Sequence, residues 1–169
     1  MALSTVVKNM RDGSLIMSDG SGTPITLPVQ FDQGDFSITG LKAKLAETTA
    51  YETRGLLRSV RHTTRTYPTG SFTCMMADFT EATTGTVADA ILKNGAFSAA
   101  VSSDGATADV YKLNLAFTCA GIVHGDAADG AFTLTNSECV FDFTENDPNS
   151  FSITFTVYGA ITGDLAASE

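Results

Sequence analysis

Phe151, Ile153, Phe155 and Val157 alternate with Ser152, Thr154, Thr156 and Tyr158. A segment with this period presents one apolar and one hydroxylated face when extended, and the apolar face requires a second layer to cover it. The pattern recurs along the chain. Cys139, Phe141 and Phe143 alternate with Glu138, Val140 and Asp142, and Tyr111, Leu113, Leu115, Phe117 and Cys119 share one face. Phe132 and Leu134 alternate with Thr133 and Thr135, and Phe72, Cys74 and Met76 oppose Ser71, Thr73 and Met75. The 24 threonines and 11 phenylalanines supply most of these positions, and both residue types favour strands.

Turn chemistry divides the strands. Leu15-Ile16-Met17 runs into Asp19-Gly20-Ser21-Gly22, and the return from Ile25 to Phe31 contains Pro28, which marks an edge strand. Asp35 to Thr39 is a short alternating run, Pro68-Thr69-Gly70 reads as a turn, and Glu145 to Asn149 reads as the turn of a final hairpin. One helix is predicted over Val87 to Asn94, with Thr86 as N-cap, Asp89 completing a capping box and Gly95 as the stop. Two helical turns do not stand alone, so this helix must lie on a sheet. With 169 residues the chain is sized for one domain. The expected fold is mainly β: two packed antiparallel sheets, a sandwich or partly closed barrel, flanked by one short helix. A long loop, Leu41 to Arg54, is expected between early strands, with an arm over residues 1–12 and a short tail over 160–169.

Charge and composition remove several function classes. Residues 66–169 hold two lysines and thirteen acids, whereas residues 1–65 carry a small positive excess. So acidic a portion repels a phosphate backbone instead of grasping it. The N-terminus has no basic start followed by an apolar block, and no apolar run approaches the roughly 20 residues of a membrane-spanning helix, so neither export nor a membrane is expected. Cys74, Cys119 and Cys139 sit in apolar contexts and read as free structural thiols. His62 and His124 are the only histidines, no G-x-S-x-G elbow exists, and no ligand spacing suits zinc or a calcium loop. Neither a catalytic constellation nor a cofactor is expected. The basic series Arg54, Arg58, Arg61 and Arg65 has three readings. Ion pairing between subunits ranks ahead of a solvated face, and nucleic-acid contact ranks last because only Tyr67 lies near to stack on bases.

The opening Lys8-Asn9-Met10-Arg11-Asp12-Gly13-Ser14-Leu15 and the segment Thr66-Tyr67-Pro68-Thr69-Gly70-Ser71-Phe72-Thr73 carry a family likeness. With the single helix and a last hairpin ending Phe155-Thr156-Val157-Tyr158-Gly159, the chain resembles the major tail tube proteins of long, non-contractile-tailed bacteriophages. The resemblance implies a structural protein with no active site, forming six-fold rings that stack into a hollow tube for genome passage. Its implied partners are further copies of itself and the tape measure, tail tip and tail terminator proteins, with DNA only in transit. The implied location is the virion tail, after synthesis in the host cytoplasm. The long loop would dock successive rings through Leu41, Leu45 and Tyr51 as apolar anchors and Lys42, Lys44 and Arg54 as charges; Arg58, Arg61 and Arg65 would pair subunits. Glu138 and Asp142 are candidates for a net-negative channel wall. The alternative is a carbohydrate-binding or adhesive β-module, against which the absence of Trp counts.

Overall fold

The structure, a computed structural model, describes residues 13–29, 35–41, 48–62, 66–76, 79, 85–120, 127–145 and 147–165. The arm over 1–12, Lys42, Lys44, Leu45, Arg65, His124 and the last four residues of the expected tail lie outside them.

The elements in chain order are β1 (Gly13–Ser18), β2 (Thr26–Val29), β3 (Ser37–Thr39), β4 (Thr48–Thr53), β5 (Leu56–His62) and β6 (Thr69–Met75). There follow α1 (Val87–Leu92), β7 (Leu113–Cys119), β8 (Gly130–Thr144), β9 (Ser150–Val157) and β10 (Ile161–Gly163). They form two antiparallel sheets, neither closed into a barrel. The large one runs β2-β1-β7-β8-β9-β6-β3 with β10 also on β8, and the small one is the β4–β5 hairpin.

The layering comes from β8. Its first half, up to Ser137, pairs with β7, and from Ser137 to Thr144 it pairs with β9. Between Leu134 and Ser137 it carries one extra residue against β7, with Asn136 at φ 53°, a left-handed position that Asn tolerates. The chain after β9 follows the same bend: Tyr158 N–H donates to the Asn136 carbonyl at 3.0 Å and Gly159 N–H to that of Thr135 at 3.1 Å. The segment expected as a tail therefore begins with β10, paired to Phe132–Leu134. The large sheet is folded into two half-sheets, β2-β1-β7-β8 with β10, and β8-β9-β6-β3, which share one core.

That core realises the alternation. Leu113, Leu115, Phe117, Phe151, Ile153, Phe155 and Val157 are all buried. Phe36, just before β3, joins the halves: its ring lies 5.0 Å from that of Phe117 and 5.8 Å from that of Phe155. Each fully buried Phe contributes about 2 kcal/mol by removal from water. The capping box is present, Thr86 Oγ1 accepting from Asp89 N–H at 3.1 Å while Asp89 Oδ2 accepts from Thr86 N–H at 3.2 Å. The helix ends earlier than Gly95, because Lys93 itself takes the left-handed capping position at φ 58°.

Asp19 ties the β1–β2 turn to the loop before β7. Buried at 1% exposure, it accepts from Ile25 N–H at 2.7 Å, Val101 N–H at 3.0 Å and the Ser21 hydroxyl at 2.9 Å. Burial alone would raise its pKa, but these donors outweigh it and hold the carboxyl below its usual range. Asp19→Ala orphans two backbone donors and is expected to cost about 3 kcal/mol, lowering the melting temperature by roughly 10 °C. Because the folded value is the lower one, this stabilisation is complete above the unfolded value of about 4 and fades as the pH falls through the folded value. Melting curves of parent and variant should therefore converge in acid. Equal stabilities at neutral pH would remove this role.

The three thiols are free, as expected. Burial pushes those of Cys74 and Cys139 up to about 12, so neither is a thiolate at neutral pH. Titration with an aromatic disulfide should find three groups after unfolding and slow reaction of Cys74 and Cys139 before it. Fewer than three would mean a disulfide.

Candidate functional site

Two surfaces stand out, and both follow from strand register. The first is the outer face of β3, β6, β9 and β8. Cross-strand pairing places Thr39, Thr69, Thr156 and Glu138 in one row, and Ser37, Ser71, Thr154 and Val140 in the next. A third row holds Thr73, Ser152 and Asp142. The hydroxyls interlock, Ser37 Oγ lying 3.2 Å from Ser71 Oγ and Thr39 Oγ1 3.3 Å from Thr69 Oγ1. The face dips into a shallow depression of about 530 Å³ and carries no basic side chain in any row. Both expected wall carboxylates are on it. Asp142 is exposed, whereas Glu138 is half-buried and accepts the Tyr158 hydroxyl at 3.1 Å. That bond holds the Tyr158 pKa above its usual value. A hydroxylated surface with carboxylates binds water well and repels polyanions.

This half-sheet has two open ends among the described residues. β3 pairs only with β6, and β8 beyond Ser137 pairs only with β9. At the other end of the large sheet, β2 is blunted by Pro28, which has no N–H to offer a further strand.

The second surface is the β4–β5 hairpin. The sequence suggested a loop over 41–54 bounded by glycines, but Thr48–Thr53 is a strand and Gly55 is the turn itself. Thr53 pairs with Leu56, leaving Arg54 and Gly55 as a two-residue tip with φ of 52° and 75°. Both positive values match the turn whose twist suits a hairpin. Tyr51 thus sits in a strand rather than a loop, and Leu41 lies half-buried just after β3. Arg58 falls at a bulge in β5, and the Arg61 guanidinium stands 6.0 Å from the Tyr51 ring centroid. Tyr51 and Arg54 of the expected docking loop and Arg58 and Arg61 of the Arg series thus belong to one hairpin. It also carries apolar residues that sequence reasoning missed: Leu56, Leu57 and Val60 are 71%, 62% and 54% exposed, beside Tyr51 at 48%. The signal was there in Tyr51, Thr53 and Val60 around an Arg-Gly pair.

No protein-family model matches the chain, and no curated protein matches it. Solved structures do. The PVC sheath/tube terminator of an extracellular contractile injection system, in its extended state, aligns with TM-score 0.50 and 13% identity over 89% of this chain and 92% of that one. The structure of the anti-feeding prophage cap, an AFP tube-terminating cap, aligns with TM-score 0.50 and 15% identity over 99% of this chain and 95% of that one. The chain shares its fold with these two structures. The likeness spans nearly the whole chain; one match comes from a contractile injection system and the other from the anti-feeding prophage, where the sequence pattern resembled non-contractile phage tails.

Proposed function

We propose that this chain is a structural subunit that associates with copies of itself into closed rings, six to a ring, which stack into the tube of a phage-like tail. The observation that carries this reading is the half-sheet β8-β9-β6-β3, open at both ends among the described residues and hydroxylated on its outer face. An edge of one copy can continue the sheet of the next, a heterologous contact that closes into a ring when the rotation allows. The row-ordered hydroxyls with Glu138 and Asp142 would then line the channel, and the β4–β5 hairpin would reach the adjacent ring. The whole-chain similarity to tube-terminator structures supports the reading. In a virion, the tape measure, tail tip and terminator proteins would be its neighbours, and the genome would pass without being held.

Native mass spectrometry and negative-stain microscopy test the proposal. Hexamers and annular particles or tubes are expected; a monomer at high concentration with no particles would overturn it. Assembled material is also expected to retain no DNA at physiological salt in a gel-shift assay, because an acidic wall makes no phosphate contacts. Retention under those conditions would remove the channel-wall assignment.

A further inference from the structure

The exposed hairpin has a counterpart at the far end of the β8–β9 hairpin. There Met75, Phe79 and Phe143 are 47%, 52% and 44% exposed. The Phe79 and Phe143 rings lie 5.4 Å apart, and Phe143 packs on the buried Phe151 at 6.0 Å, so the aromatic end is anchored to the core. Exposed acids follow immediately: Glu145 closes β8 and Asp147 lies in the turn. This tip is apolar with two negative charges, and β4–β5 is apolar with three arginines against Glu52.

We infer that the β4–β5 hairpin of one copy docks on the β8–β9 tip of another. Leu57 and Val60, which the bulge at Arg58 brings to one face of the hairpin, would cover Phe79, Phe143 and Met75, while Arg54 and Arg58 face Glu145 and Asp147. The inference rests on the proposed self-association and names its receiving surface. Three features support it. The two patches match in both apolar character and charge. A two-stranded hairpin with both faces in water is marginal by itself, so a docked state stabilises it. Its seven-residue strand β5 spans about 23 Å and, among the described residues, pairs with no strand but β4, so its outer edge is open. Apolar contact would supply affinity and the charges would fix register, since like charges placed together reject a wrong alignment.

Charge reversal with mixing tests the inference on the full chain. One variant carries Arg54→Glu and Arg58→Glu; the other carries Glu145→Arg and Asp147→Arg. Each variant alone has like charges on both surfaces and should need at least about tenfold higher concentration to assemble, by light scattering and sedimentation velocity. Mixed in equal amounts, the acidic hairpin of the first meets the basic tip of the second, and the basic hairpin of the second meets the acidic tip of the first. Assembly at the parental concentration should then return, which also shows that both variants are folded. If the parent assembles and the reversals have no effect, or the mixture does not recover, the docking assignment is overturned while ring formation stands. If the parent itself never assembles, the proposed function and this inference fall together.

Discussion

Replacing Gly70 by alanine is expected to remove a large part of the folding stability. A Cβ at this position would stand 2.2 Å from the Ser37 carbonyl oxygen and 2.3 Å from Cζ of Phe155. No side chain tolerates either distance. The Phe155 ring is buried against Phe36 and Phe72, so shifting it disturbs the core, and relieving the Ser37 contact detaches β3 from β6. Overpacking usually costs 1–3 kcal/mol, and losing a Phe from the core costs as much again, so about 4 kcal/mol is expected. That is a large fraction of the total stability of a domain. Phe155→Leu in the Gly70→Ala background removes the offending ring and should recover part of the loss. Urea denaturation of the single and double variants reads both effects, and a shift below about 1 kcal/mol for Gly70→Ala would show that the strand is not seated as described.

The second large effect is on assembly instead of stability. Replacing residues 48–62 by a short Gly-Ser linker removes β4 and β5, which pair only with each other. The removed Tyr51, Leu56, Leu57 and Val60 are exposed, so the core keeps its contacts. The melting temperature of the shortened chain is expected to stay within about 3 °C of the parent, equivalent to about 1 kcal/mol. Tubes, by contrast, should disappear from negative-stain grids while smaller species remain. Normal tubes from the shortened chain would refute the docking role, and a collapse of its melting temperature would show that the hairpin braces the body.

Why some of this was legible and some was not follows from the range of the interactions involved. The capping box of α1 is encoded within four residues, Thr86 to Asp89, and the sequence predicted it correctly. The buried faces of β7 and β9 are local alternations, and Pro28 announced an edge because its missing N–H is a property of one residue. Gly70 was different. Pro68-Thr69-Gly70 has turn chemistry, yet Gly70 lies inside β6 because the Phe155 ring occupies the space a side chain would need. That requirement arises from a residue distant in sequence. Likewise, Gly55 looked like the boundary of a loop, but with Arg54 it forms the tip of a hairpin whose two strands carry no buried stripe to reveal them.

The candidate surfaces divide in the same way. Glu138 and Asp142 were placed correctly on the face opposite the core, since alternation along one strand decides that. The rows they complete with Thr156, Thr69 and Thr39 depend on the register of four strands and could not be read from any one of them. The bond from Tyr158 to Glu138 likewise joins β8 to the residue that follows β9, and it makes one of the two carboxylates part of a pair.

β8 belongs to both half-sheets, changing partner from β7 to β9 at Ser137. Neither layer can come apart alone, because opening one strips the other of a member strand. Unfolding of the two half-sheets is therefore expected to be coupled, since a form that keeps one layer would expose the apolar face it shares with the other. In the proposed stacked assembly that would matter for quality control. A damaged subunit would fail as a unit instead of fraying in place, and a filament built from such subunits would be either intact at a given position or broken there.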